Sequence, residues 1–148
     1  MEHNSWLKFG AMIAVSFIAM YVLMYTMVWS WEDFHPSLSQ VYMAGSMTAA
    51  MVVIELVLMG SMYKNATVRN ALIGVGVLAL VATVAFTRYQ TGIGDKDFLR
   101  SMIPHHSGAI LMCSNPKLED PEIRTLCQSI IKGQQQEIDE MHAILNRK

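Results

Sequence analysis

The stretch WLKFGAMIAVSFIAMYVLMYTMVWSW, residues 6–31, contains a single charged residue, Lys8. A helix needs about 20 predominantly apolar residues to cross a bilayer core, and this run exceeds that length. It is also too long for the apolar region of a signal peptide, and no small-x-small cleavage site precedes the polar residues 32–36. The sequence therefore predicts a retained transmembrane helix.

Two further apolar runs follow, from Gln40 to Tyr63 and from Ala71 to Tyr89. They are separated by the polar residues 64–69, and together with the first run they account for most of a composition that is 53% hydrophobic and 16% charged. We predict an all-α membrane protein whose residues 1–90 form a three-helix transmembrane region.

The short loops predict how the spans are oriented. Lys64 and Arg69 lie in the second loop, whereas the first loop has acidic residues and no Lys or Arg. Because Lys and Arg are retained on the cytoplasmic side, the second loop and the amino terminus, with Lys8, are expected inside. The carboxy-terminal segment is then expected in the periplasm of a bacterium, with the protein in the inner membrane. The aromatic residues expected at the outer interface are Trp29, Trp31 and Tyr42.

Residues 91–148 are predicted to form an antiparallel helical hairpin outside the bilayer. Asp95 is the expected N-cap of a helix that runs to about Cys113, and residues 114–116 end it. Asp120 is the expected N-cap of a second helix, with Pro121 at its first position. A lone hairpin of this size buries little surface, so two chains are expected to pair as a homodimer.

The hairpin carries residue types that suit a soft metal. Thioethers and imidazoles together favour Cu(I) or Ag(I), and this chain has 13 Met residues. Folding the hairpin at its turn places Gln134 level with Met102 and His105, where the three side chains would converge. Ordinary packing by Met and a hydrogen-bonded core His is the competing interpretation. The residues that share a face are, on the first helix, Phe98, Met102, His105, Ala109 and Met112, flanked by His106 and Cys113, and on the second, Ile123, Cys127, Ile130, Gln134, Ile138, Met141 and Leu145.

Two cysteines, Cys113 and Cys127, lie without metal-knuckle spacing. They form either one disulfide or two thiols. Because Cys113 lies near the turn and Cys127 about two helical turns beyond it, a bond within the chain is expected to be strained.

The hairpin resembles a known family. The stretch DFLRSMIPHH, residues 97–106, followed by Ala109, Ile110, Met112, Gln134, Glu137, Ile138 and Met141, is similar to domain-of-unknown-function family 305. The resemblance implies a ferritin-like helical bundle, often periplasmic, and an association with copper binding and tolerance. It implies Met102, His105, His106, Met112 and Met141 as candidate ligands. Cys113 stands where the family tends to have a small residue, and it either adds a thiolate ligand or pairs with Cys127.

The second apolar run carries a stripe of thioethers and one carboxylate, formed by Met43, Met47, Met51, Glu55 and Met59. The spacing of four residues keeps them on one slowly drifting side of a helix. A carboxylate within a span is costly, so the stripe is a candidate relay for Cu(I). The alternative is packing between helices, with Glu55 holding the bundle together.

Four functions compete on this sequence. The leading one is a membrane-anchored periplasmic protein that binds copper for homeostasis or resistance, without turnover. The others are a ferritin-like metal oxidase, a transporter subunit that uses the Met stripe, and a structural membrane protein. A di-iron oxidase is disfavoured because residues 91–148, which would form the bundle, have no Glu-x-x-His motif. Nucleic-acid binding is set aside because no basic cluster occurs.

Overall fold

The computed structural model describes the backbone of residues 2–148 and the side chains of residues 5–148. This part of the chain is helical and contains no strand. The α-helices are α1 (Glu2–Leu23), α2 (Leu38–Leu58), α3 (Ala66–Tyr89), α4 (Asp95–Cys113) and α5 (Pro121–Arg147). Short 3-10 turns occupy Met24–Met27, Trp31–Asp33 and Gly60–Met62.

Three helical segments are long and apolar enough to cross a membrane: Ser5–Met27, Leu38–Leu58 and Ala66–Tyr89. The number of spans agrees with the sequence prediction, but the third helix begins earlier than expected. Asn65 caps it, because the Asn65 side chain accepts a hydrogen bond from the backbone N–H of Val68 at 3.1 Å. Arg69 therefore lies in the first turn of α3, where its guanidinium donates to the carbonyl oxygen of Gly60 at 3.1 Å.

The chain divides into two compact units. The first contains the segment up to Leu23 together with Ser39–Thr91, and the second contains Met24–Leu38 together with Gly92–Lys148. This division differs from the expected boundary at residue 90, because the loop between α1 and α2 belongs with the carboxy-terminal hairpin.

In the first unit, a small cluster joins the helices. Phe9, Val52, Leu56 and Tyr63 are buried together. Helices α2 and α3 approach closely at Gly76, where an added Cβ would lie 2.9 Å from Val53 Cγ2. Elsewhere the helices show apolar side chains outward: only 6%, 28% and 6% of the three span windows are buried. An apolar exterior suits the hydrocarbon core of a bilayer, where no water is present to hydrogen-bond polar side chains.

In the second unit, α4 and α5 form the expected antiparallel hairpin. Asp120 caps α5 by accepting from the backbone N–H groups of Glu122 at 2.8 Å and Ile123 at 3.2 Å, with Pro121 at the first position. The expected cap of α4 is wrong: Gly94 is the N-cap and Asp95 is the first helical residue. Asp95 instead pairs with Lys148, which brings the start of α4 to the end of α5.

The hairpin core forms around an isoleucine cluster that was not the expected face of α4. Ile103, Ile110 and Ile138 are buried together, and Ile131, Met141 and Leu145 pack against them. Phe98 and Met112, expected inside, are 50% and 60% exposed. The inward stripe of α4 instead contains Leu99, Ile103, Ser107 and Ile110. This stripe is hard to recognise in the sequence, because the hydroxyl of Ser107 at a core position interrupts the apolar period.

Candidate functional site

Two cross-links fix how α4 and α5 align. A disulfide joins Cys113 to Cys127, and His106 Nε2 lies 2.9 Å from Glu137 Oε2. A bond within the chain was expected to be strained, yet the two cysteine Cα atoms are 5.0 Å apart, within the normal range for disulfides. Both sulfurs are used in this bond, so Cys113 offers no thiolate to a metal here.

The same alignment corrects the expected level of Gln134. The first six residues of α5, before Cys127, extend past the end of α4. The pairing of residues between α4 and α5 is therefore shifted by about one helical turn from that of a hairpin folded symmetrically about its connecting loop. Gln134 comes level with the Ser107 turn rather than with Met102 and His105.

His106 is held by two oxygen atoms that can only accept hydrogen bonds. Its Nδ1 lies 2.9 Å from the carbonyl oxygen of Met102, and its Nε2 faces the carboxylate of Glu137. A backbone carbonyl on Nδ1 is the arrangement that orients metal-binding histidines, and it leaves Nε2 as the nitrogen that would take a metal in place of its proton.

Two thioethers lie on the same helix stripes as this pair. Met102 is four residues before His106 on α4, and Met141 is four residues after Glu137 on α5. Since residues four apart share a helix face and the two helices are antiparallel, both methionines lie one turn from the His106–Glu137 pair, on the side toward Asp95 and Lys148. We name Met102, His106, Glu137 and Met141 the Met–His seam. The imidazole of His106 is 13% exposed and the carboxylate of Glu137 is 57% exposed, so the seam is shielded on one side and open on the other.

Other candidate ligands lie away from the seam. His105 is exposed, and its ring centroid is 6.1 Å from that of His106. Met112 also points away from the hairpin core. Within the described residues, no group of three or more His, Cys, Asp and Glu side chains is arranged to hold a metal ion. A metal at the seam would therefore depend on sulfur ligands.

Comparison with known proteins identifies the family. A family model described as "Domain of unknown function (DUF305)" matches residues 83–145. An uncharacterised protein of Acanthamoeba polyphaga mimivirus is 35% identical over 141 residues, covering 93% of this chain and 90% of that protein. Residues 83–145, the carboxy-terminal part of the chain, belong to the DUF305 family. The similarity to the viral protein extends beyond the hairpin into the three apolar helices, and no solved structure matches.

In this DUF305 protein the candidate relay residues on α2 lie mostly on the outside of the first unit. Met43, Met47 and Met59 are 42–46% exposed, while Met51 packs against the buried cluster. Glu55 lies in the last turn of α2 and accepts a hydrogen bond from the Tyr63 hydroxyl at 3.3 Å. The carboxylate is therefore near the end of the helix and paired, rather than deep in a span as expected.

A buried polar cluster in the second unit was missed by the sequence analysis. Asp33 is buried, and its two carboxylate oxygens accept from the Ser107 hydroxyl at 2.6 Å and from His142 Nε2 at 3.3 Å. The Ser107 oxygen in turn accepts from the backbone N–H of Trp29 at 2.7 Å. The available signal was Ser107 itself, because a polar residue on an apolar stripe needs a buried partner. Its partner lies 74 residues away, so no local pattern points to it.

His35 completes this cluster. Its ring centroid is 5.1 Å from that of His142, and its Nε2 is buried without a hydrogen-bond partner among the described residues. Burial lowers the pKa of His35, electrostatic interactions with His142 and Arg100 lower it further, and the Asp33 carboxylate opposes them.

The lowered pKa of His35 predicts an acid-sensitive second unit. Below the ordinary pKa of 6.5, the unfolded chain binds a proton at His35 that the folded chain does not. The free energy of unfolding therefore decreases as the pH is lowered, until the pH drops below the folded-state pKa. We expect the wild-type protein to lose more unfolding free energy than His35→Phe between about pH 7 and pH 5, measured by urea denaturation in the presence of a metal chelator. Equal losses in the two proteins would show that His35 does not contribute.

Proposed function

We propose that this DUF305 protein is a membrane-anchored metal-binding protein that captures Cu(I) at the Met–His seam. The observation that carries the proposal is the orientation of His106: its Nδ1 is held by the Met102 carbonyl, and its Nε2 faces Glu137. The thioethers of Met102 and Met141 lie one helical turn away on the two helices. A cation that replaces the Nε2 proton would keep a favourable interaction with the carboxylate.

The donor set supports copper over harder metals. Thioether sulfur is a soft ligand and imidazole a borderline one, a combination that suits Cu(I) and its chemical analogue Ag(I). When bound, the metal would be held by Met102, Met141 and His106, and Glu137 would offset its charge. The role proposed for the site is capture and buffering in copper homeostasis or resistance, with no chemical conversion required.

The location proposed for the hairpin is the outer side of the membrane, the periplasm in a bacterial cell. Lys64 and Arg69 support a cytoplasmic position for the loop between α2 and α3, which leaves the hairpin on the opposite side. The disulfide adds independent support, since such bonds persist in oxidising compartments and are rare in the cytosol.

The proposed assembly is a homodimer in which a second hairpin covers the exposed face of α4. Phe98 and Met112 on α4, and Leu126 on α5, are half-exposed or more. Large apolar side chains gathered on a small hairpin are a common mark of an interface. A second chain would also bring further donors near a seam that supplies few of its own.

The metal proposal is tested by Cu(I) titration of the full-length protein in detergent against a competing chelator. We expect His106→Gln, Met102→Leu and Met141→Leu each to weaken Cu(I) binding by about tenfold or more, because each removes a donor. His105→Gln is expected to change it little, since His105 lies off the seam. Met62→Leu, an exposed Met in the first unit, is the matched control.

Wild-type affinity in all three seam variants would overturn the copper site. Light scattering on the same preparations checks the assembly, and a protein–detergent mass corresponding to one chain would contradict the dimer.

A further inference from the structure

The cluster of Asp33, Ser107, His142 and His35 contains an unsatisfied nitrogen. His35 Nε2 is buried and has no hydrogen-bond partner in the described part of the chain. Buried polar atoms in folded proteins are nearly always paired with protein, with water or with an ion, so an exception calls for a ligand. The neighbouring ring of His142, 5.1 Å away between centroids, is the closest aromatic partner of His35 that the structure provides.

The hydrogen bonds around Asp33 determine which nitrogen of His142 is free. The Asp33 carboxylate oxygen Oδ1 can only accept, so His142 Nε2 donates to it across 3.3 Å. In the neutral ring, Nδ1 then keeps its lone pair. A carboxylate that holds one nitrogen of a histidine while the other is left to a metal is a recurring arrangement in metal sites.

Asp33 is itself fixed in place. Its second oxygen accepts from the Ser107 hydroxyl at 2.6 Å, and the Ser107 oxygen is occupied by the Trp29 backbone N–H at 2.7 Å. Ser107 is fully buried, so water does not compete for this contact. The orientation of the His142 ring is therefore set by a chain of hydrogen bonds that runs into the backbone of the loop.

We propose that His35 and His142 form a second metal site, distinct from the Met–His seam, for a borderline divalent cation such as Zn²⁺ or Cu²⁺. The two ligands are imidazole nitrogens, which suit these ions, and no thioether is needed. Asp33 acts as the hydrogen-bond acceptor that orients His142 and is not counted as a ligand, in keeping with the lack of a group of three His, Cys, Asp and Glu ligands among the described residues. Water completes the coordination.

A cation bound at this site would join the loop to the hairpin. His35 follows the 3-10 turn Trp31–Asp33 in the segment between α1 and α2, whereas His142 lies near the end of α5. A cation shared by the two rings joins segments 107 positions apart in the chain. Binding to the folded form alone stabilises it by mass action, so Zn²⁺ is expected to raise the unfolding temperature of the second unit.

The test uses the full-length protein in detergent, with Zn²⁺ as the probe in competition with a chromophoric chelator. Two variants remove the ligands with little other disturbance. His35→Phe deletes a nitrogen that has no hydrogen bond to lose, and His142→Gln keeps an N–H that can donate to Asp33. We expect each variant to bind Zn²⁺ at least about tenfold more weakly than wild type, and the Zn²⁺-dependent rise in unfolding temperature to disappear.

Electron paramagnetic resonance of bound Cu²⁺ gives an independent readout. The wild-type site is expected to show hyperfine coupling to two imidazole nitrogens, and His142→Gln to show one. The His105→Gln/His106→Gln double variant is the control and is expected to keep both the Zn²⁺ affinity and the two-nitrogen spectrum. Failure of Cu(I) binding at the seam would leave these results unchanged. Wild-type Zn²⁺ affinity in both His35→Phe and His142→Gln would overturn the second site.

Discussion

Asp33→Ala is expected to lower the unfolding free energy of the second unit by about 3 kcal/mol, because each buried partner left unsatisfied costs about 1–3 kcal/mol. The substitution removes the acceptor of the fully buried Ser107 hydroxyl and of His142. It also removes one hydrogen bond between α4 and the loop, while the bond from the Trp29 backbone N–H to Ser107 remains. The loss should appear in urea denaturation followed by fluorescence of Trp29 and Trp31, both of which belong to this unit.

Glu32→Ala provides the matched control for this experiment. Glu32 is the exposed neighbour of Asp33 in the same 3-10 turn, and exposed substitutions usually change stability by less than about 0.5 kcal/mol. Asp33→Asn should fall between the two, because its amide oxygen still accepts one hydrogen bond. If Asp33→Ala were as stable as Glu32→Ala, the cluster would contribute nothing to the docking of the loop.

Removing the disulfide is expected to cost about 3 kcal/mol, the loop-closure value for a cross-link that encloses about 15 residues. Cys113 and Cys127 are separated by 14 positions, and the bond closes the loop that joins α4 to α5. Without the bond, the unfolded chain has more conformational entropy, and it loses this entropy when the hairpin folds. The Cys113→Ser/Cys127→Ser variant should therefore unfold at lower urea concentration than the oxidised wild type.

Added reductant supplies the control for this second prediction. It should shift the wild-type transition toward that of the double variant and leave the double variant itself unmoved. Thiol titration confirms that the bond has been reduced. A fully reduced wild-type protein with an unchanged transition would show that helix packing alone secures the hairpin.

The features that could be predicted from the sequence are those with local signals. The three apolar helices follow from length and hydropathy, and the start of α5 follows from Asp120 and Pro121, whose cap and first-turn roles the structure confirms. The membership in the DUF305 family was also predictable, since the residues around His105 and His106 carry it. The apolar helices and the cap each depend on a run of fewer than thirty residues, within which helix period and capping act directly.

The features that could not be predicted depend on contacts between distant segments. The register of the hairpin was misjudged because the overhang of α5 past Cys113 depends on how the connection folds. The inward face of α4 was misjudged because Ser107 reads as a surface residue until Asp33 is known to reach it. The Met and His residues of α4 favoured the opposite face as the inward one, but Phe98 and Met112 on that face are exposed.

The grouping of Met24–Leu38 with the hairpin also sets an order of events during synthesis. Asp33 and His142 are 109 positions apart, and α2 and α3 are made in the interval between them. The loop therefore emerges early and must wait, with its acidic side chain unpaired, until α5 has been translated. Contacts of such long sequence separation form slowly, so the second unit should be the last part of the chain to fold.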